Sequence, residues 1–220
     1  MAKVQHYYTE FEEGSFYHVY NRTIDKGTLF KNVDNYIFFI KKFDEYLSGF
    51  VNLYAYCLLE NHFHLLIEIP SYTTILNNLE AFNSKNPAKI LSQKHQANIS
   101  QSTHEIISHQ FRKFFQSYSM AYNKQQGRIG ALFQTPFKRA LISDCQYFTN
   151  VVYYIHANPQ KHGILSDFRK YPWSSYQRIL IDKPSKLCKK EVLDWFGGKE
   201  AYLQYHAQNI DLPKEWDIDN

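Results

Sequence analysis

At 220 residues, 44% hydrophobic and 21% charged, the chain is long enough for one domain with an extension and too apolar to be disordered. Its formal net charge of +4 permits a nucleic-acid partner without announcing one. No apolar run approaches the roughly 20 residues of a membrane span, the first residues hold no apolar signal core, and Cys57, Cys145 and Cys188 form no CxxC pair, which together predict a reduced, cytoplasmic protein.

Ser15 to Arg22 is a β-branched and aromatic run and predicts a strand. Asp34 then stands as an N-cap before Tyr36, Ile40, Phe43 and Leu47, which share one helical face. Asn52 to Leu58 and Phe63 to Ile69 predict two strands, joined closely enough to pair antiparallel. A short helix is expected over Thr74 to Phe82. The polar stretch 83–102, with Pro87 inside it, predicts a long connection.

Ser102 and Glu105 have the spacing of a capping box and open the longest helix, with Ile107, Phe111, Phe114, Tyr118 and Tyr122 on one face. Gly127 to Phe133 and Phe137 to Ile142 predict two more strands around a turn at Pro136. Ser143 and Gln146 suggest a second capping box, for a helix ending near Pro159. The tail carries Lys183, Lys186, Lys189 and Lys190, then a helical patch at Val192 to Phe196 that Gly197 and Gly198 interrupt. The pattern predicts an α+β fold, an antiparallel sheet with helices packed on it. The expected division is a domain over 1–184 and a C-terminal extension over 185–220.

His62 and His64 sit two residues apart at the start of a strand, so both imidazoles leave one face and Phe63 the other. Two neutral imidazoles side by side can hold a divalent cation. The plainer alternative is a pair of polar residues on a solvated strand face. Tyr154 and Asn158 are stacked one helical turn apart, away from the stripe of Phe148, Val152 and Ile155. Here the plainer alternative is an amphipathic helix that ends in an asparagine before a proline. Taken together, two imidazoles and an amide oxygen can hold a cation that polarises a phosphodiester, with a tyrosine hydroxyl as nucleophile.

The chain resembles the HUH single-tyrosine transposases, including the REP-associated tyrosine transposases. The resemblance rests on Tyr17-His-Val-Tyr-Asn-Arg22, Asn61-His-Phe-His-Leu-Leu66, Gly130-Ala-Leu-Phe-Gln134 with Phe137-Lys-Arg139, Tyr154-Ile-His-Ala-Asn-Pro159 and Trp173-Ser-Ser-Tyr176, in family order. It implies a ferredoxin-like or RRM-like HUH nuclease fold, with His62, His64 and Asn158 as ligands of Mg²⁺ or Mn²⁺ and Tyr154 as nucleophile. It also implies single-stranded or hairpin DNA as partner, a 5′-phosphotyrosine intermediate and a homodimer. Phe63 is bulkier than the small aliphatic residue many members carry at that position.

Tyr153 competes for the nucleophile's role, but it lies about 100° round the helix and faces Ala157, which offers no ligand. Tyr147, two turns before Tyr154, suits base stacking better. Arg22, Arg128, Lys138, Arg139 and Lys161 flank the motifs and are candidate phosphate contacts. Aromatic residues at 17% of the chain fit either a large core or a surface on which bases stack. One alternative function is a domesticated hairpin or single-stranded DNA-binding module that does not cleave. Another is a water-using hydrolase, for which Glu60 and Glu68 are the nearest bases. Every motif precedes Pro184, so the tail is expected to be dispensable for metal binding.

Overall fold

The computed structural model describes residues 8–85 and 101–208. In chain order these form β1 (Phe16–Arg22), α1 (Val33–Leu47), β2 (Asn52–Leu59), β3 (His62–Glu68), α2 (Tyr72–Lys85), α3 (Thr103–Gln126), β4 (Lys138–Ile142), α4 (Cys145–Lys161), a 3₁₀ turn (Phe168–Lys170), α5 (Tyr176–Leu180), α6 (Lys189–Phe196) and α7 (Lys199–Ala207). The sheet order is β2-β3-β1-β4, and every neighbouring pair is antiparallel. This is the ferredoxin-like order, in which β1 lies between β3 and β4 and the hairpin partner β2 forms an outer strand.

Alternation divides the sheet's side chains between two helical layers. Tyr17, Val19, Phe63, Leu65 and Ile67 join the core formed with α1 and α3. Leu66, Ala55 and Ile142 join the second core, built on Phe148, Val152 and Ile155 of α4. Phe63 is fully buried, 5.0 Å from the ring of Phe39, so its bulk is absorbed by the first core. Phe63→Ala is expected to cost about 3–5 kcal/mol in a urea titration. A loss below about 1 kcal/mol would show that this layer is not close-packed.

Local chemistry sets most of the helix ends. Ser102 accepts from the Glu105 N–H while Glu105 accepts from the Ser102 N–H, the expected capping box. Other ends differ from expectation. Helix α1 is capped by Asn32, which leaves Asp34 in the first turn, where its charge favours the positive end of the helix. Helix α4 is capped by Asp144 rather than Ser143, and it runs past Pro159 because the proline sits in the last turn. Residues 127–133 form no strand. Gly127 and Gly130 take positive φ values of 61° and 97°, and the segment meets the chain just beyond β1 through a bridge from Phe133 to Thr23 and the Ile24 N–H donating to the Leu132 carbonyl at 3.0 Å. Most of the polar stretch 83–102 lies outside the described residues, although α2 reaches Lys85.

The C-terminal segment is part of the second core. Trp195 of α6 stacks 4.6 Å from Phe148, and the fully buried Tyr202 of α7 stacks 5.5 Å from Tyr176. His206 Nε2 lies 3.0 Å from His156 Nδ1, with Tyr153, Tyr176 and Tyr202 around it. Burial drops the His206 imidazole from 6.5 to about 4. The unfolded chain therefore binds the extra proton between those values, and stability falls as the pH drops through that window. The loss is expected to reach about 3 kcal/mol from this group once the pH is below 4. Urea midpoints at stepped pH check it, and a His206→Gln variant should lose part of the slope.

Candidate active site

The site is built where the first residues of β3 meet the face of α4. Period-two alternation sends His62 and His64 to that face, with ring centroids 5.1 Å apart and planes 85° to one another. Helix α4 crosses above them. Its Tyr154 ring stands edge-on to His64 at 5.7 Å and to His18 of β1 at 5.8 Å. Two turns further, His162 stands 5.0 Å from His62. Asn158 lies midway between Tyr154 and His162 on the same helical face, at the i+4 spacing from each.

Asn158 is fully buried, and its Nδ2 donates to the Tyr154 carbonyl at 2.8 Å. Its Oδ1 is buried too and accepts no hydrogen bond. Leaving such an acceptor unsatisfied costs about 1–3 kcal/mol, so the oxygen is suited to an external partner. Two imidazole nitrogens with one amide oxygen form a donor set that fits Mn²⁺, or Mg²⁺ retaining several waters. Among the described residues, no three His, Cys, Asp or Glu side chains group to hold a metal.

Tyr154 is only 1% exposed. The exposed Lys161 lies over its ring, with Nζ 4.9 Å from the centroid, and the exposed His162 lies over His62. Tyr153 points elsewhere. Its hydroxyl donates to the Gln208 carbonyl at 3.0 Å, within the α7 contact. Glu68 closes the far end of β3, where Tyr54 and Asn52 donate to its carboxylate at 3.0 and 3.1 Å. It is therefore not placed to act as a base beside the histidines.

The five candidate phosphate contacts divide. Arg22 is the register partner of His62, and Lys138 lies 5.5 Å over the ring of Tyr20, itself the register partner of His64. With Lys161, these bring positive charge to the histidine face. Arg128 pairs with Asp25 at 3.1 Å in the loop beyond α3. Arg139 is turned to the opposite face as the register partner of Val19 and is 8% exposed. Its Nε donates to the Thr9 carbonyl at 2.6 Å, and the guanidinium lies against Phe11 and Phe137. That charge holds the N-terminal segment to the sheet. Sequence reasoning passed over His18, Tyr20 and His162, which surround the site. The available signal was their spacing: His18 and Tyr20 share a strand face, and His162 is two turns beyond Tyr154.

Among the described residues, no helix is long and apolar enough to cross a membrane. No family model matches the chain. A curated Haemophilus influenzae protein assigned to the REP-associated tyrosine transposases is 27% identical over 154 residues, covering 68% of this chain and 69% of that protein. A solved REP-associated tyrosine transposase bound to a REP hairpin is similar in fold, with a TM-score of 0.55 and 15% identity over 79% of this chain and 84% of that one. The sequence match and the HUH motif bear on the family, and the structural match on the fold. The chain is thus similar to REP-associated tyrosine transposases in sequence and in fold.

Proposed function

We propose that this protein nicks and rejoins single-stranded DNA next to a hairpin, through a covalent 5′-phosphotyrosine on Tyr154. The observation that carries this is the clustering of Tyr154, His64 and the unbonded Asn158 oxygen on one face. In the proposed step the Tyr154 oxygen forms a bond to the scissile phosphorus and the P–O3′ bond breaks. The phenolic proton ends on the released 3′ oxygen. Attack by a 3′-hydroxyl reverses the step, reseals the strand and returns the proton to tyrosine. Bond energy is conserved in the ester, so rejoining needs no external energy source.

His62, His64 and Asn158 would hold Mg²⁺ or Mn²⁺, which when bound supplies charge stabilisation at the phosphate oxygens. Arg22, Lys138 and Lys161 would position the backbone. Such contacts give affinity but carry no sequence information. The test is incubation with hairpin oligonucleotides bearing single-stranded flanks, followed by a denaturing gel. A protein–DNA adduct is expected with Mg²⁺ or Mn²⁺ and none with a chelator in excess. The burial of Tyr154 favours a second function, hairpin binding without cleavage, and a wild type that binds but never forms an adduct would establish it.

A further inference from the structure

We propose that Asn61 and His18 are positioning residues that hold His62 and His64 in one tautomer, with the proton on Nδ1 and the lone pair on Nε2. The proposal rests on the metal-site reading above and names what prepares the two ligand atoms.

Asn61 Oδ1 lies 2.6 Å from His62 Nδ1. The orientation of that amide is set independently, because Asn61 Nδ2 donates to the Lys26 carbonyl at 3.2 Å. Turning the amide over would oppose two acceptors at Lys26. An amide oxygen only accepts, so His62 Nδ1 has to be the donor. A neutral imidazole carries a single ring proton. His62 Nε2 is then the nitrogen with the lone pair.

His64 has an equivalent partner from another strand. Its Nδ1 lies 2.9 Å from His18 Nε2, with His64 fully buried and His18 nearly so. The two rings stack at 5.1 Å with planes 25° apart, and Tyr20 stacks on His64 at 5.8 Å. Both neighbours come from β1, which the sheet register holds beside β3. These stacked rings restrict rotation of His64. One proton lies between the two nitrogens, and if His64 is to bind a cation through Nε2, that proton sits on its Nδ1. His18 then accepts through Nε2. Both histidines of the motif are thus tied at Nδ1 by a neighbour and offer the same ring atom.

Such outer partners act through tautomer and ring orientation, and losing one weakens a metal site by about 10- to 100-fold. Two measurements on the full chain test this. In the metal-free wild type, long-range ¹H–¹⁵N spectra of the histidine rings should report Nδ1–H for both His62 and His64. An Nε2–H pattern on either overturns the proposal. In a Mn²⁺ titration followed by electron paramagnetic resonance, Asn61→Ala and His18→Leu should each bind about 10- to 100-fold more weakly than wild type. Asn61→Asp and His18→Gln keep an acceptor near the same place and should recover most of the affinity. Equal losses in all four variants, or none in the first two, overturn it as well. A wild type that binds no Mn²⁺ instead overturns the metal reading, and this proposal with it.

Discussion

Tyr154→Phe is expected to abolish the covalent protein–DNA adduct while leaving hairpin binding close to wild type. The change removes one hydroxyl and keeps the ring that stands against His18 and His64. Packing is therefore retained, and stability should move by about 1 kcal/mol or less. The neighbouring Tyr153 cannot substitute, because its hydroxyl is committed to the Gln208 carbonyl in the α7 contact. Tyr153→Phe should form adduct near the wild-type level and lose only that hydrogen bond, about 1 kcal/mol. The deciding experiment compares both variants in the adduct assay, alongside a binding titration at one fixed salt concentration. Adduct from Tyr154→Phe but not from Tyr153→Phe would move the nucleophile by one residue.

Ending the chain at Pro184 is expected to unfold it or make it insoluble, although every motif lies upstream. The deletion removes Val192, Phe196, Tyr202 and His206 from the second core, together with the exposed Trp195 that stacks on Phe148. It uncovers Phe148 on α4 and Tyr176 on α5. Single losses of large buried aromatics cost about 3–5 kcal/mol each. Several at once exceed the roughly 5–15 kcal/mol by which a domain is stable. Deleting the tail is therefore expected to disturb the site as well, against the expectation that it is dispensable for metal binding, since α4 also carries Tyr154 and Asn158. Circular dichroism melting of residues 1–184 checks the point. A truncated chain that melts with the full-length protein would show that α6 and α7 contribute little.

The same helix thus serves both the site and the second core. One face of α4 carries Tyr154 and Asn158 toward β3, and another carries Phe148, Tyr153 and His156 toward the C-terminal helices. Substitutions in the tail should reach the site through α4, by loosening it rather than by touching DNA. A tail variant such as Tyr202→Ala should accordingly lower the melting temperature before it lowers adduct yield per folded molecule.

Much of the fold was legible because its signals are local. The apolar run Asn52 to Leu58, the Ser102 and Glu105 box and the 3-4 spacing of Phe111, Phe114 and Tyr118 depend only on neighbours in the chain. So do the shared face of His62 and His64 and the i, i+4 stacking of Tyr154 and Asn158. Other features depend on residues far apart in sequence. Lys138 and Arg139 are equivalent as composition, and only the register of β4 on β1 sends one to the histidine face and buries the other under the N-terminal segment. The glycine-broken segment 127–133 resembled a strand until the positive φ values at Gly127 and Gly130 were fixed. The tail's place was hidden because its partners, Phe148, His156 and Tyr176, are tens of residues away. Sequence by itself determined which chemistry-bearing side chains share an element and a face, since helical and strand periods are properties of the local backbone. Only the tertiary structure decided which elements meet, and so that His18 lies against Nδ1 of His64, because pairing β1 with β3 is a long-range choice made by the packing of both cores.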